Sequence, residues 1–161
     1  MFRIFVFGAV LHTVLVLPAA AQTAIDLGGI TVDSAAAVEV AADTLSVDQD
    51  TGKAVFTGNV LIGQGDLKMS ADSVEVVYTQ ATGSIARLLA SGGVTFVTAT
   101  EAAEAENADY NIEAGTLTLT GDVLLTQGPS AISAQKMTVN LDDGSAVMEG
   151  RVRTVLQQGG N

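Results

Sequence analysis

Apolar residues alternate with polar ones at period two through most of the chain, the pattern of strands with one buried face. Four segments carry it most clearly: Ala54, Phe56, Val60, Ile62; Leu88, Ala90, Val94, Phe96; Leu117, Leu119, Val123, Leu125; and Ala146, Met148, Val152, Thr154. Positions of the other parity are more polar, among them Thr57, Asn59, Ser91, Thr95, Thr118, Asp122, Glu149 and Arg151. In each segment a Gly-x-Val tripeptide interrupts the alternation at its middle: Gly58-Asn59-Val60, Gly92-Gly93-Val94, Gly121-Asp122-Val123 and Gly150-Arg151-Val152. A missing side chain in the middle of an apolar face permits a bend or a close backbone approach.

A second glycine precedes each tripeptide, at Gly52, Gly83, Gly115 and Gly144, with offsets of six, nine, six and six residues. Short or polar residues lead into it, as in Asp50-Thr51-Gly52 and Asp142-Asp143-Gly144, which is hairpin chemistry. The strand ahead of each hairpin is signed Ala42-Asp43, Ala71-Asp72, Ala108-Asp109 and Ala134-Gln135. At two of these signatures the buried parity slips by one: Leu67, Met69, Ala71 gives way to Val74, Val76, Tyr78, and Ile132, Ala134 to Met137, Val139, Leu141. Such a slip predicts a bulge or corner that keeps the apolar side facing inward as the strand turns. The expected fold is all-β: a row of about four hairpin repeats of long, bent antiparallel strands, no unit of which buries its apolar face alone. Glu101 to Asn107 has helical composition but occupies a strand position in the repeat, so a strand is expected there.

Composition sharpens this picture. Arg3, the apolar run Ile4 to Leu17 and the small residues Ala19-Ala20-Ala21 predict a secretory signal over residues 1–21, a repeat domain over 22–156 and a tail over 157–161. The chain has no cysteine, so neither a disulfide nor a lipid-modified cysteine is expected. Without the signal, six Lys and Arg face eighteen Asp and Glu, a formal charge of -12 against -11 for the whole chain. That surface repels nucleic acid.

Little remains for catalysis. The single histidine, His12, lies in the signal. The carboxylate pairs Asp142-Asp143 and Asp48 with Asp50 fall at hairpin turns, where aspartate is favoured for backbone reasons. Asp48-x-Asp50-x-Gly52 opens like a calcium loop but lacks the closing glutamate, and Gly63-Gln64-Gly65 sits between strands rather than before a helix. No cofactor and no metal are expected. The apolar interior admits two readings, an ordinary core or a ligand groove. Aromatic residues make up only 4% of the chain, and a bent sheet filled mainly by Val, Ile, Leu and Ala is expected to leave its middle incompletely closed, which favours a groove. The strand-like ends, Val38 to Val47 and Val147 to Leu156, carry no polar cap and invite strand addition.

Ala42-Asp43-Thr44-Leu45, Val55-Phe56-Thr57-Gly58-Asn59-Val60 and Gln64-Gly65-Asp66-Leu67-Lys68-Met69-Ser70-Ala71-Asp72-Ser73-Val74 resemble the OstA-like domain of the LptA family of lipopolysaccharide-transport periplasmic proteins. The resemblance continues through Ala108-Asp109-Tyr110, Leu119-Thr120-Gly121-Asp122-Val123 and Arg151-Val152-Arg153-Thr154-Val155-Leu156. It implies a twisted, open, jelly-roll-like trough that carries lipopolysaccharide acyl chains and joins head to tail across the periplasm. The implied partners are lipopolysaccharide, further copies of the chain, an inner-membrane export complex with an anchored OstA-like component, and an outer-membrane translocon. On this reading the groove is lined by Val38, Val40, Leu45, Val47, Phe56, Val60, Ile62, Leu88, Val94, Phe96, Tyr110, Ile112, Leu117, Leu119, Val123, Leu125, Met137, Val139, Met148 and Val152. Its partner edges are Val38 and Val40 at one end and Arg151, Arg153 and Val155 at the other. The rival expectation is an exported structural β-repeat scaffold with a dry core and no lipid.

Overall fold

The structure is a computed structural model that describes residues 36–79 and 81–155 and the backbone of 23–26. The expected signal and tail, and Leu156, lie outside the described residues. Among the described residues eleven strands follow in order: β1 Thr23–Asp26, β2 Glu39–Ala41, β3 Thr44–Asp48, β4 Lys53–Gln64, β5 Leu67–Tyr78, β6 Ile85–Val97, β7 Glu101–Asn111, β8 Thr116–Gln127, β9 Ser130–Asn140, β10 Ser145–Glu149 and β11 Arg153–Val155. All pairings are antiparallel, in the order β1-β10-β9-β8-β7-β6-β5-β4-β2, with β3 also on β4 and β11 also on β9. The result is one open sheet folded along its midline into a twisted trough.

The fold line lies at the glycine tripeptides. From β4 to β9 every pairing shifts register at its middle, and the extra residue always belongs to the strand carrying Gly-x: between Thr57 and Val60, Ser91 and Val94, or Thr120 and Val123. Gly58, Gly92, Gly121 and Gly150 have φ near +80°, and the next residue is left-handed as well, including Asn59, Asp122 and Arg151. Two such residues in a row turn the strand sharply, and L side chains resist that conformation. A close approach adds to the demand for glycine. A Cβ on Gly92 would lie 2.6 Å from the Cβ of Asp72, and one on Gly150 2.8 Å from that of Gln135. Asp43, Asp72, Glu106 and Gln135 therefore each lie over a glycine, giving an alternating file across the sheet. The third corner is at Ala105-Glu106, not at Ala108-Asp109 as the Ala-Asp signature suggests. The parity slip of β7 falls between Ala105 and Ala108, and Asp109 stands on the outer face, paired with Arg87.

The corners divide the sheet into two arms. The first arm holds β3, the halves of β4 to β9 that pair with it (residues 53–57, 73–78, 85–91, 107–111, 116–120 and 136–140), β10 and β1. The second holds β2, residues 60–64, 67–70, 94–97, 101–104, 123–127 and 130–134, and β11. The end segments break at the same line: Val38 to Val47 becomes β2 and β3, parted at Ala42-Asp43, and the C-terminal run becomes β10 and β11, parted at Gly150 to Val152. Glu101 begins strand β7. The β5-β6 connection is longer than the other hairpins, and its register irregularity at Val77/Tyr78 leaves Tyr78 exposed rather than inside.

Candidate functional site: the apolar interior and its two ends

Register carries the inward positions across the whole first arm in two rows. One runs Leu45, Phe56, Val74, Ala90, Ala108, Leu119, Met137, Met148; the other runs Val47, Ala54, Val76, Leu88, Tyr110, Leu117, Val139, Ala146. The second arm answers with Val40, Ile62, Met69, Phe96, Ala103, Leu125, Ile132 and Thr154. These rows meet between the arms in one hydrophobic cluster. Val60, Ile62, Leu88, Val94, Phe96, Tyr110, Leu117, Leu119, Val123, Leu125, Met137, Val139 and Met148 are buried at its centre. Each buried aliphatic or aromatic side chain there stabilises the fold by roughly 1.5–3 kcal/mol. Val38, Val40, Phe56 and Ile112 are half-buried against the cluster.

The rows do not end alike. At the N-terminal end Leu45 and Val47 stand on inward positions of the last strand, yet are 54% and 59% exposed because, among the described residues, no further strand covers them. At the C-terminal end Ala146 and Met148 are buried, and β1 pairs with β10. Val152, Arg151, Arg153 and Val155 are exposed, the last at 55%.

Polar contacts lie along the mouth between the arm tips. Tyr110, near the tip of the first arm, donates its hydroxyl to Gln64 Oε1 at the tip of the second. Gln64 Nε2 donates to the Ala36 carbonyl at 3.0 Å. Sequence reasoning placed Gln64 in a turn; a polar residue on inward parity at a strand end was the available signal. Glu101, 4% exposed, accepts from Thr98 Oγ1 (2.7 Å), Thr100 Oγ1 (2.5 Å) and Gln127 Nε2 (3.2 Å). Burial pushes its carboxyl up, but these three donors outweigh burial and hold it below the ordinary value. The turn carboxylates serve the backbone: Asp48 Oδ1 accepts the amides of Asp50 and Thr51, and Asp143 Oδ1 those of the Ser145 amide and hydroxyl.

Charge is unevenly placed. Lys53, Arg87 and Lys136 pair with Glu75, Asp109 and Glu149, all on the outer face of the first arm. The outer face of the second arm is more apolar, with Leu61, Val97 and Leu124 exposed; a groove of about 500 Å³ lies there beside β2, lined by Leu61, Val97, Lys68 and Glu39 among others. The N-terminal end carries Glu39, Asp43, Asp48 and Asp50 and no cation from residue 39 to 52; the C-terminal end carries Arg151 and Arg153. Neither arginine makes an ion pair among the described residues.

Residues 39–145, well over half of the chain, match the LptA/(LptD N-terminal domain) LPS transport protein family. The chain belongs to that family. An uncharacterized protein of Rhizobium meliloti (strain 1021) is 28% identical over 130 residues, covering 74% of this chain and 70% of that protein. Among solved structures, LptH of Pseudomonas aeruginosa, described as the LptA-homologous periplasmic component of the lipopolysaccharide transport device, superposes with a TM-score of 0.69. It is 18% identical, and the likeness covers 78% of this chain and 99% of that one. The fold is thus that of an LptA-like LPS transport protein, as the resemblance implied.

Proposed function

We propose that this family member is a non-enzymatic periplasmic bridge that binds lipopolysaccharide by its acyl chains between the two arms and assembles head to tail. The observation that carries the reading is the pair of apolar rows running across the first arm from β3 to β10 and emerging exposed at Leu45 and Val47. A multiply acylated lipid cannot cross water unaided, because each exposed methylene costs about 0.8 kcal/mol. Rows of equivalent apolar positions offer weak binding at many sites, and transport then needs no chemistry in this chain. Residues 1–21 serve as the export signal. The inner-membrane complex with its anchored OstA-like component and the outer-membrane translocon dock at opposite ends, and energy comes from elsewhere.

Strand parity supports head-to-tail joining. Each arm counts eight alternating strands from β2 or β3 to β11 or β10. Stacking a second copy along the sheet therefore sets its β2 antiparallel to β11 and its β3 antiparallel to β10. The joint brings Arg153 opposite the next copy's Ala41, diagonal to Glu39 and Asp43, and sets Arg151 beside Asp43 where the file of corners continues.

The dense packing of the centre favours the rival reading, a scaffold with a dry core, and the two separate at single positions. A photo-crosslinking residue at Phe56 or Phe96 captures lipopolysaccharide if the arms part to admit acyl chains, while one at Thr57, on the outer face, does not. Equal or absent capture at all three positions overturns the carrier reading.

A further inference from the structure

We propose that β1 is a built-in stand-in for the β3 strand of a second copy: it occupies the first-arm docking edge of its own chain and is displaced when copies join. This rests on the head-to-tail reading above and adds a step to it.

Strand parity singles β1 out. The first arm is complete at eight strands, β3 to β10; β1 is a ninth, laid on β10. With β1 in place an incoming β3 would meet it parallel, breaking the alternation that every other pairing keeps. With β1 gone, that β3 meets β10 antiparallel.

The register makes the substitution specific. Thr23, Ala24, Ile25 and Asp26 stand opposite Met148, Val147, Ala146 and Ser145. Following the rows across the sheet and into a second copy puts that copy's Leu45, Ser46, Val47 and Asp48 opposite the same four residues. The two strands match position by position: Ile25 for Val47, Ala24 for Ser46, Asp26 for Asp48, in the same direction. They differ where exchange gains. Thr23 holds the register position to which β3 brings Leu45, β1 has four residues against five in β3, and a second copy adds the β2-β11 pairing that β1 cannot supply.

A tethered strand sits at an effective concentration of order millimolar, so β1 outcompetes dilute copies. It thereby shields an edge that would otherwise accept any strand. Assembly then begins only when local concentration is high or a partner of matching register arrives.

The test uses the chain from Gln22, which has no native cysteine to interfere. An Ile25→Cys/Ala146→Cys double variant, oxidised, fixes β1 on β10. It remains monomeric in sedimentation at concentrations where the wild type and the same sample after reduction assemble. Ile25→Asp, which removes the aliphatic match, lowers the concentration at which assembly is half complete by about tenfold. A mixture of Val47→Cys and Ala146→Cys copies cross-links between chains in step with assembly. An oxidised double variant that assembles as readily as the reduced one, or an Ile25→Asp midpoint no lower than wild type, overturns the stand-in role alone. If wild type and all variants stay monomeric and no cross-link forms, the head-to-tail reading falls and this inference with it.

Discussion

Gly83 and Gly92 lie on the same hairpin with similar left-handed φ, +70° and +84°, yet their surroundings differ. A Cβ on Gly83 would meet nothing within 4 Å, whereas one on Gly92 would lie 2.6 Å from Asp72 Cβ and 2.7 Å from its Oδ2. Gly83→Ala should therefore cost only the backbone term, about 1–2 kcal/mol for an L residue held left-handed. Gly92→Ala adds the displacement of Asp72 from the corner, an overpacking of roughly 1–3 kcal/mol, for a total of about 2–5 kcal/mol. That is a large share of the roughly 5–15 kcal/mol typical of a domain. Urea unfolding followed by circular dichroism measures both, since the chain has no tryptophan. Asp72→Gly supplies the control: in a Gly92→Ala/Asp72→Gly double variant the clash disappears and the φ cost stays, so the double-mutant cycle should show coupling of about 1–3 kcal/mol. Equal losses for the two single alanine variants, or zero coupling, would refute the argument that a close approach at the corner demands glycine.

Two further outcomes follow from charge. The depressed folded-state pKa of Glu101 means its contribution to stability is full above the unfolded value near 4.5 and is lost as pH falls through the folded value. Acid titration of stability should accordingly be shallower for Glu101→Gln than for wild type in the window just below pH 4.5, and identical slopes would rule out that role. At the joint, Arg151→Glu/Arg153→Glu should weaken self-association about tenfold at low salt and Glu39→Lys/Asp43→Lys should restore it, with wild-type association falling as salt rises. Association indifferent to these reversals would remove the electrostatic part of the joint.

Much of the fold was legible in the chain because a half-buried strand writes its face at period two and the first residue of each left-handed corner, closely covered by its neighbour, demands glycine. The period and the left-handed φ act within a few residues, so Val60, Phe96, Leu119 and Met137 could be placed inside without any tertiary information. On local pattern alone the third corner could fall at either Ala105-Glu106 or Ala108-Asp109. Register against β8 chose the former. Parity carried to the last residue of β5 puts Tyr78 inside, but the pairing with β6 shifts register there. For the candidate site, alternation identified which side chains point inward but not how far each is covered. Leu45 and Leu119 have the same pattern in sequence, and only their places in the strand order make one half-exposed and the other buried.

The sequence by itself determined the strands, most of their inward faces and the glycine side of each bend, since these follow from local sterics and from the period of the chain. Tertiary structure decided which strand lies at each end, that Tyr110 and Gln64 meet across the mouth, and that Thr23–Asp26 lies on β10. Those facts depend on pairings between residues 46 and more than a hundred positions apart, for which no local pattern in the chain carries a signal.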